Sequence, residues 1–342
     1  MIEIDGSYGE GGGQILRTAV AMAAYLGARC RIAKIRKGRP KPGLRPQHLA
    51  GVQAVAELCR AEVTGLSLNS QDVVFTPREI RGGELHITID TAGAIGLILQ
   101  SLMLPAIKAP SPFQLTITGG TDVPWAPTIG YLQEVVLPVM GRMGYRGALA
   151  VARRGYYPRG KGQVSVELKG CTLSPLHLVA PGTISLIQGR SHASSALGGR
   201  HVAERQQEGA RAILEKAGIP SDITVEYGTT ASPGSGIDLW TLGGHTRLGA
   251  NALGARGKQA EEVGAVAAAA LLRQISSGAA LDEWMGDQVL PFLAVAGGES
   301  TISVTRITEH LRTNLWVINH FLPLETQIRQ EKTRAIVTVR ST

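Results

Sequence analysis

The sequence predicts an α/β fold of the layered α+β kind, with three repeated strand-helix-strand-helix-strand-strand units and a smaller inserted α/β domain. Three observations carry that expectation. First, "IEIDGSYGEGGGQILRTAVAMAAYLG" and "ITIDTAGAIGLILQSLMLPAIKA" share one order: an alternating strand ending in Asp, small residues, then a long apolar helix carrying a glutamine. Asp5 and Asp90 stand 85 residues apart. Second, the C-terminal stretch from "LDEWMGDQVLPFLAVAG" onward runs through similar elements. Third, the chain from Gly182 to about Ser277 alternates strand and helix on its own account. Each unit has apolar faces that only a neighbour can cover, so the copies are expected to stack with pseudo-threefold order.

Period 2 marks the strands and period 3.6 the helices. In the first copy the elements fall near 2–5, 14–27, 30–36, 45–60, 62–68 and 72–76; in the second they fall near 85–90, 93–108, 113–118, 128–144, 147–153 and 162–168. The third copy offers a first helix in "LDEWMGDQVLPFLAVAG", a strand "STISVTRI", a helix "HLRTNLWVINHFL", and strands near 325–330 and 334–340. Gln288 then takes the position of Gln100 and, by looser correspondence, of Gln14. The inserted stretch supplies strands "TISLIQ", "ITVEYG" and "IDLWTLG" and helices "RHVAERQQEGARAILEKAG" and "AEEVGAVAAAALLRQI". The expected division is 1–181 plus 278–342 as the large catalytic domain, and 182–277 as the small one.

Composition agrees with a folded protein. With 342 residues, 44% hydrophobic, 4% aromatic and 43 glycines, the cores should be built from Ala, Val and Leu and joined by many tight turns. Lys and Arg exceed Asp and Glu by 35 to 27, a formal charge of +8 that favours polyanionic partners. Cys30, Cys59 and Cys171 are scattered and odd in number, which excludes a disulfide framework or a CxxC zinc site. The N-terminus lacks the basic-then-apolar order of a signal peptide, and no apolar run reaches spanning length, so a soluble cytoplasmic protein without a membrane partner is expected.

Four stretches could carry chemistry. "YGEGGGQ", Tyr8 to Gln14, is a glycine turn between strand and helix: either a cradle for an anion, with Glu10 able to hold a divalent ion, or simply close backbone packing. It matches neither standard nucleotide-binding glycine motif. The basic run Arg31 to His48 contains no acidic residue and offers Arg36, Arg39, Lys41, Arg45 and Gln47 just before a helix; it reads as a phosphate site or as a solvated loop. "TGGTDVPWAPT", Thr118 to Thr128, reads by itself as the start of a helix. His310 follows a plausible N-cap, Thr308, so it lies in a first turn, where the positive helix end keeps an imidazole neutral and attracts phosphate. Leu311, Leu315, Ile318 and Leu322 form an apolar stripe that leaves His310 and Asn314 on another face, while His320 reads as a cap or surface residue. By local pattern alone His310 is either a reactive group or packing at a helix end.

Taken in order, "DGSYGEGGGQILR", "RKGRPKPGLRPQHL", "GGTDVPWAP", "GDQVLP" and "HLRTN" resemble the RNA 3′-terminal phosphate cyclase family over essentially the whole chain. The resemblance implies three repeats with an inserted small domain and a ligase-type nucleotidyl transfer in RNA processing. ATP adenylylates a histidine, here His310; AMP passes to an RNA 3′-phosphate; and the 2′-OH displaces AMP to close a 2′,3′-cyclic phosphate. It further implies that Glu10 binds a divalent metal, Mg or Mn, and that Arg17, Arg36, Arg39 and Gln47 hold the RNA phosphates. Gln100, Pro127, Trp284, Met285, Gly286, Asp287 and Gln288 would shape the ATP/AMP pocket. Trp284 departs from the tyrosine the family often has, keeping a stacking face but losing a phenol hydroxyl. The rival readings are a non-catalytic RNA-binding homologue in ribosome assembly, which lacks the histidine, and a carboxyvinyl transferase-like enzyme, which does not need it. No oligomeric state follows from the sequence.

Overall fold

In the computed structural model, which describes residues 1–341, the predicted α/β repeats form three four-stranded sheets of one topology. In the first, Ile2–Asp5 runs parallel to Cys30–Ala33, which pairs antiparallel with Val73–Thr76, and Glu62–Thr64 forms the far edge. The second has the same order in Gly83–Thr88, Phe113–Gly119, Gly162–Lys169 and Arg146–Arg153. In the third, His177–Leu178 runs parallel to Gly298–Val304, followed antiparallel by Ala335–Ser341 and Leu324–Gln330. Parallel neighbours require a crossover. The helices Gly13–Leu26, Ile95–Leu102 and Met285–Leu293 provide one in each copy.

The third copy's first strand, His177–Leu178, precedes the inserted stretch. The insertion therefore interrupts the third copy, between its first strand and first helix, rather than standing between copies. Two residues are too few for an alternation to be seen in sequence. Within the insertion a fourth strand, Gly249–Leu253, joins Ser221–Gly228, Leu186–Ser194 and Ser235–Leu242. Its sequence "GANAL" lacks the β-branched residues that mark strands.

Prolines explain where helices depart from expectation. The helix expected over 93–108 ends at Leu102, and a 3₁₀ turn, Pro105–Lys108, follows, since Pro105 has no N–H for an interior helical bond. The helix expected over 128–144 is Ile129–Tyr131, a wide π turn Leu132–Val136, and Leu137–Gly141. Pro138 cannot donate to the carbonyl of Glu134; Arg247, from the insertion, donates to it instead at 2.9 Å. One hydrophobic core runs through all three copies, including Val20, Ile98, Ile117, Leu290 and Val317. A separate core of Ile187, Leu214, Leu239 and Leu271 lies inside the insertion. Among the described residues no helix is long and apolar enough to cross a membrane.

Candidate active site

A cavity of about 690 Å³ opens where helices from all three copies meet the insertion. Helix periodicity selects what lines it. Gln14, Arg17 and Thr18 face it from Gly13–Leu26; Trp284, Asp287, Gln288 and Pro291 from the start of Met285–Leu293; His310, Thr313 and Asn314 from Glu309–Asn319. Each set follows the i, i+3, i+4 spacing of one helical face. The second copy contributes Gln100 and Pro127, and the insertion contributes Asn251 and Gln274.

The first wall is basic. The turn Tyr8–Gln14 needs glycine at Gly9 and Gly11, whose φ values are 54° and 55°. At Gly13 a Cβ would lie 2.3 Å from Nε2 of His48, so the absence of a side chain lets the helix start and the basic loop close on each other. His48 accepts the Arg45 N–H on Nδ1 at 3.0 Å, completing a cap with Pro46 at the first helical position, which leaves Nε2 as the protonated nitrogen. Burial, together with Arg17, Arg36 and Arg45, pushes the His48 pKa down to about 3. Burial also lowers Arg17 to about 10, with Asp287 opposing. Arg36 is held down by burial and by Arg39 and Arg45, and its guanidinium donates to the carbonyls of Lys41 (2.7 Å) and Gly43 (2.9 Å), shaping the loop while it borders the cavity. Gln47 lies on the same wall and accepts the Ala94 N–H at 3.4 Å. Crowded guanidiniums that destabilise one another are an arrangement that an anion relieves.

The second wall carries His310. Thr308 is its helix N-cap as expected, accepting the Leu311 N–H at 3.0 Å. His310 Nε2 lies 3.6 Å from Glu10 Oε2 and Nδ1 lies 4.0 Å from Asp287 Oδ2. Burial lowers the imidazole pKa, Glu10 opposes, and Arg17 and Arg39 add to the fall. The ring is thus neutral near pH 7, with a carboxylate beside each nitrogen: Asp287 on the Nδ1 side and Glu10 on the Nε2 side. Arg39 meets Glu10 at 3.3 Å, both half-exposed.

A polar chain fixes this wall. Pro291 cannot donate to the carbonyl of Asp287, and Asn314 Nδ2 takes that carbonyl at 2.9 Å. Thr18 donates to Asn314 Oδ1 at 2.6 Å, and Gln14 donates to the His310 carbonyl at 3.0 Å. Gln100 donates to Gln288 at 2.8 Å, joining the two glutamines that the repeat aligned. Asp287 itself is buried, with Oδ1 unpartnered within the protein. Burial pushes its pKa up to about 7, with Asp282 adding and Gln288 and Arg17 opposing.

Two residues expected in the pocket are not there. Met285 is fully buried, and a Cβ on Gly286 would meet Leu311 and Val304, so both pack into the core. On a helix, 285 and 286 point away from the face that carries 284, 287 and 288. Trp284 is half-exposed at the rim, with the Arg306 guanidinium 5.9 Å from its ring centre. His48 and Thr18 were missed from sequence, and Asn314 was placed on the His310 face without a role; the signal for Thr18 was a polar residue one helical turn after Gln14. His320 caps its helix at the surface, its Nδ1 2.8 Å from the Trp316 carbonyl.

Residues 8–328 match the protein family described as RNA 3′-terminal phosphate cyclase. The protein of that name from Methanopyrus kandleri is 48% identical, over 99% of this chain and 99% of its own. The one from Pyrococcus furiosus is 45% identical, over 94% of this chain and 93% of its own. Among solved structures, the enolpyruvyl transferase NikO from Streptomyces tendae aligns with 98% of this chain at a TM-score of 0.37 and 15% identity. This chain spans 47% of that one, and a likeness at that level carries no argument.

Proposed function

The chain belongs to the RNA 3′-terminal phosphate cyclase family, and we propose that it is an ATP-dependent enzyme that closes RNA 3′-phosphates through a covalent His310-AMP. The single observation that supports this most is one cavity holding a neutral first-turn histidine, with the buried Asp287 beside one ring nitrogen and Glu10, paired with Arg39 of the basic wall, beside the other. In the first step the Nε2 lone pair of His310 attacks the α-phosphorus of ATP; the N–P bond forms, the bond to the bridging oxygen breaks, and pyrophosphate leaves. Asp287, 4.0 Å from Nδ1, offsets the positive charge that develops on the ring. In the second, an oxygen of the RNA 3′-phosphate attacks the same phosphorus and the imidazole leaves. In the third, the RNA 2′-oxygen attacks its own terminal phosphorus, AMP leaves, and the hydroxyl proton passes to solvent or to a base.

Arg17, Arg39 and Gln47 hold the RNA phosphates, with Arg36 stiffening their loop. Gln100, Pro127, Trp284 and Gln288 border the nucleotide. Glu10 is half-exposed at the cavity edge, a setting suited to Mg²⁺ or Mn²⁺, which bind through one or two carboxylates with phosphate oxygens completing the set. Such an ion would offset triphosphate charge. Within this proposal the enzyme acts on RNA in the cytoplasm. The presence of His310 weighs against the non-catalytic ribosome-assembly reading.

The test is self-adenylation. Protein incubated with labelled ATP and Mg²⁺ should acquire an acid-labile, base-stable adenylate that His310→Ala abolishes and His320→Ala leaves intact. Wild-type protein that remains unlabelled would overturn the assignment.

A further inference from the structure

Away from the cavity, three buried side chains aim unpartnered atoms at one point. Asp122 lies in the loop before the second copy's last helical stretch, while His192 and Asp238 lie on adjacent antiparallel strands of the insertion. His192 faces Gly236 across the ladder, so Asp238 is its diagonal neighbour on the same side of the sheet. All three are at most 2% exposed. Asp122 Oδ1, His192 Nε2 and Asp238 Oδ2 have no hydrogen-bond partner within the protein. Nε2 stands 3.6 Å from the first oxygen and 3.5 Å from the second, and the three atoms lie within 4.8 Å of one another.

The other atom of each group is tied down. Asp122 Oδ2 accepts from Thr121 at 2.7 Å and from Arg154 at 3.0 Å. Asp238 Oδ1 accepts from Thr128 at 2.5 Å, and His192 Nδ1 meets the Tyr156 hydroxyl at 2.8 Å. This is the outer-shell pattern that orients metal ligands, with the second ring nitrogen of a histidine bonded so that the first is free to coordinate. The spacing discriminates among occupants. Donors bound at about 2.0–2.2 Å around a tetrahedral ion stand about 3.3–3.6 Å apart. Donors around a hydrogen-bonded water at about 2.8 Å stand about 4.6 Å apart, and a direct N–H···O bond would bring them to about 2.7–3.2 Å. Charge points the same way: two buried carboxyl groups converge on one imidazole, and the nearby Arg154 is already shared with Glu226 at 3.1 Å.

We propose that Asp122, His192 and Asp238 bind a divalent transition metal of the zinc type, which clamps the insertion to the second copy. Its place is structural and separate from Glu10. The insertion's strand Gly249–Leu253 is antiparallel to Ser235–Leu242 and borders the main cavity, so the clamp holds that wall.

The experiment is metal titration of the chelator-stripped full chain with Zn²⁺ and Co²⁺, read by calorimetry, bound-metal analysis, thermal unfolding and X-ray absorption. Wild type should retain one ion per chain with nitrogen and oxygen donors at about 2.0–2.2 Å, and should unfold at a higher temperature when it is bound. Glu10→Gln and His310→Ala should keep that ion; His192→Gln and Asp238→Asn should lose it. Tyr156→Phe, which keeps every ligand, should bind about 10–100-fold more weakly. Binding that survives both ligand substitutions, binding abolished by Glu10→Gln, or a wild type that takes up no ion would each overturn the proposal. Self-adenylation, measured in parallel, reports on the cyclase reading independently.

Discussion

Replacing Asp287 by Asn probes the electrostatics of the site. The carboxyl is withdrawn from water, one oxygen is unpartnered within the protein, and its pKa rises from 3.8 to about 7. Because the folded value lies above the unfolded one, the group imposes no penalty below about pH 4. Between about pH 4 and pH 7 the unfolded chain releases a proton that the folded protein keeps, so native stability falls across that window and levels off above it. At 1.36 kcal/mol per pK unit, the displacement from 3.8 to about 7 amounts to roughly 4 kcal/mol. Asn keeps the shape and an acceptor for Gln288 while carrying no charge. Asp287→Asn should therefore be more stable than wild type by roughly 1–4 kcal/mol at about pH 8, and nearly equal to it at about pH 4. Urea unfolding at both pH values measures the difference. The same variant loses the anion beside His310 Nδ1, so adenylation should slow even as stability rises, the trade expected of a strained functional site. A stability difference independent of pH would refute the assignment of a buried, reluctantly ionised carboxyl.

Two further outcomes follow from the basic wall. Arg39→Ala should lower kcat/KM for 3′-phosphorylated RNA about 10- to 100-fold, the loss of one charge-assisted contact. Self-adenylation should survive, with its acid limb moved to higher pH because Arg39 helps hold the His310 pKa down; equal loss of both activities would transfer this loop to the ATP site. Gly13→Ala forces a Cβ toward His48 at 2.3 Å, and should cost about 1–3 kcal/mol in urea unfolding together with weakened RNA use; an unchanged protein would show that this approach is not tight.

The first two repeats were legible because an alternating strand, a turn of small residues and an apolar helix recur in order, and pattern suffices for such elements. What was not legible depends on contacts distant in sequence. Asp122, His192 and Asp238 form no spacing motif and meet only after the insertion docks. The strand His177–Leu178 is defined by its partner Gly298–Val304 and not by its own residues. The contiguous block Trp284 to Gln288 was expected to face the nucleotide throughout, but a helix shows only alternate parts of such a block to one side, and Met285 and Gly286 turn to the core. Prolines carried more information than their role as breakers suggests. Each frees a carbonyl four residues back, and in both Pro138 and Pro291 a distant side chain takes it.

The second of those cases bears on why His310 could not be judged from its own helix. A buried Asn314 would be costly without partners. Its amide donates to the Asp287 carbonyl that Pro291 releases, and its oxygen accepts from Thr18, so one side chain ties all three helix starts together. Gln14 adds a bond to the His310 carbonyl itself. The angle at which His310 meets Asp287 and Glu10 is therefore set by residues on two other helices, one from the first copy and one from the third. A histidine in a first turn is common; this one sits on a helix fixed by bonds reaching 296 residues back in the chain, the kind of support that the proposed reaction requires of its nucleophile.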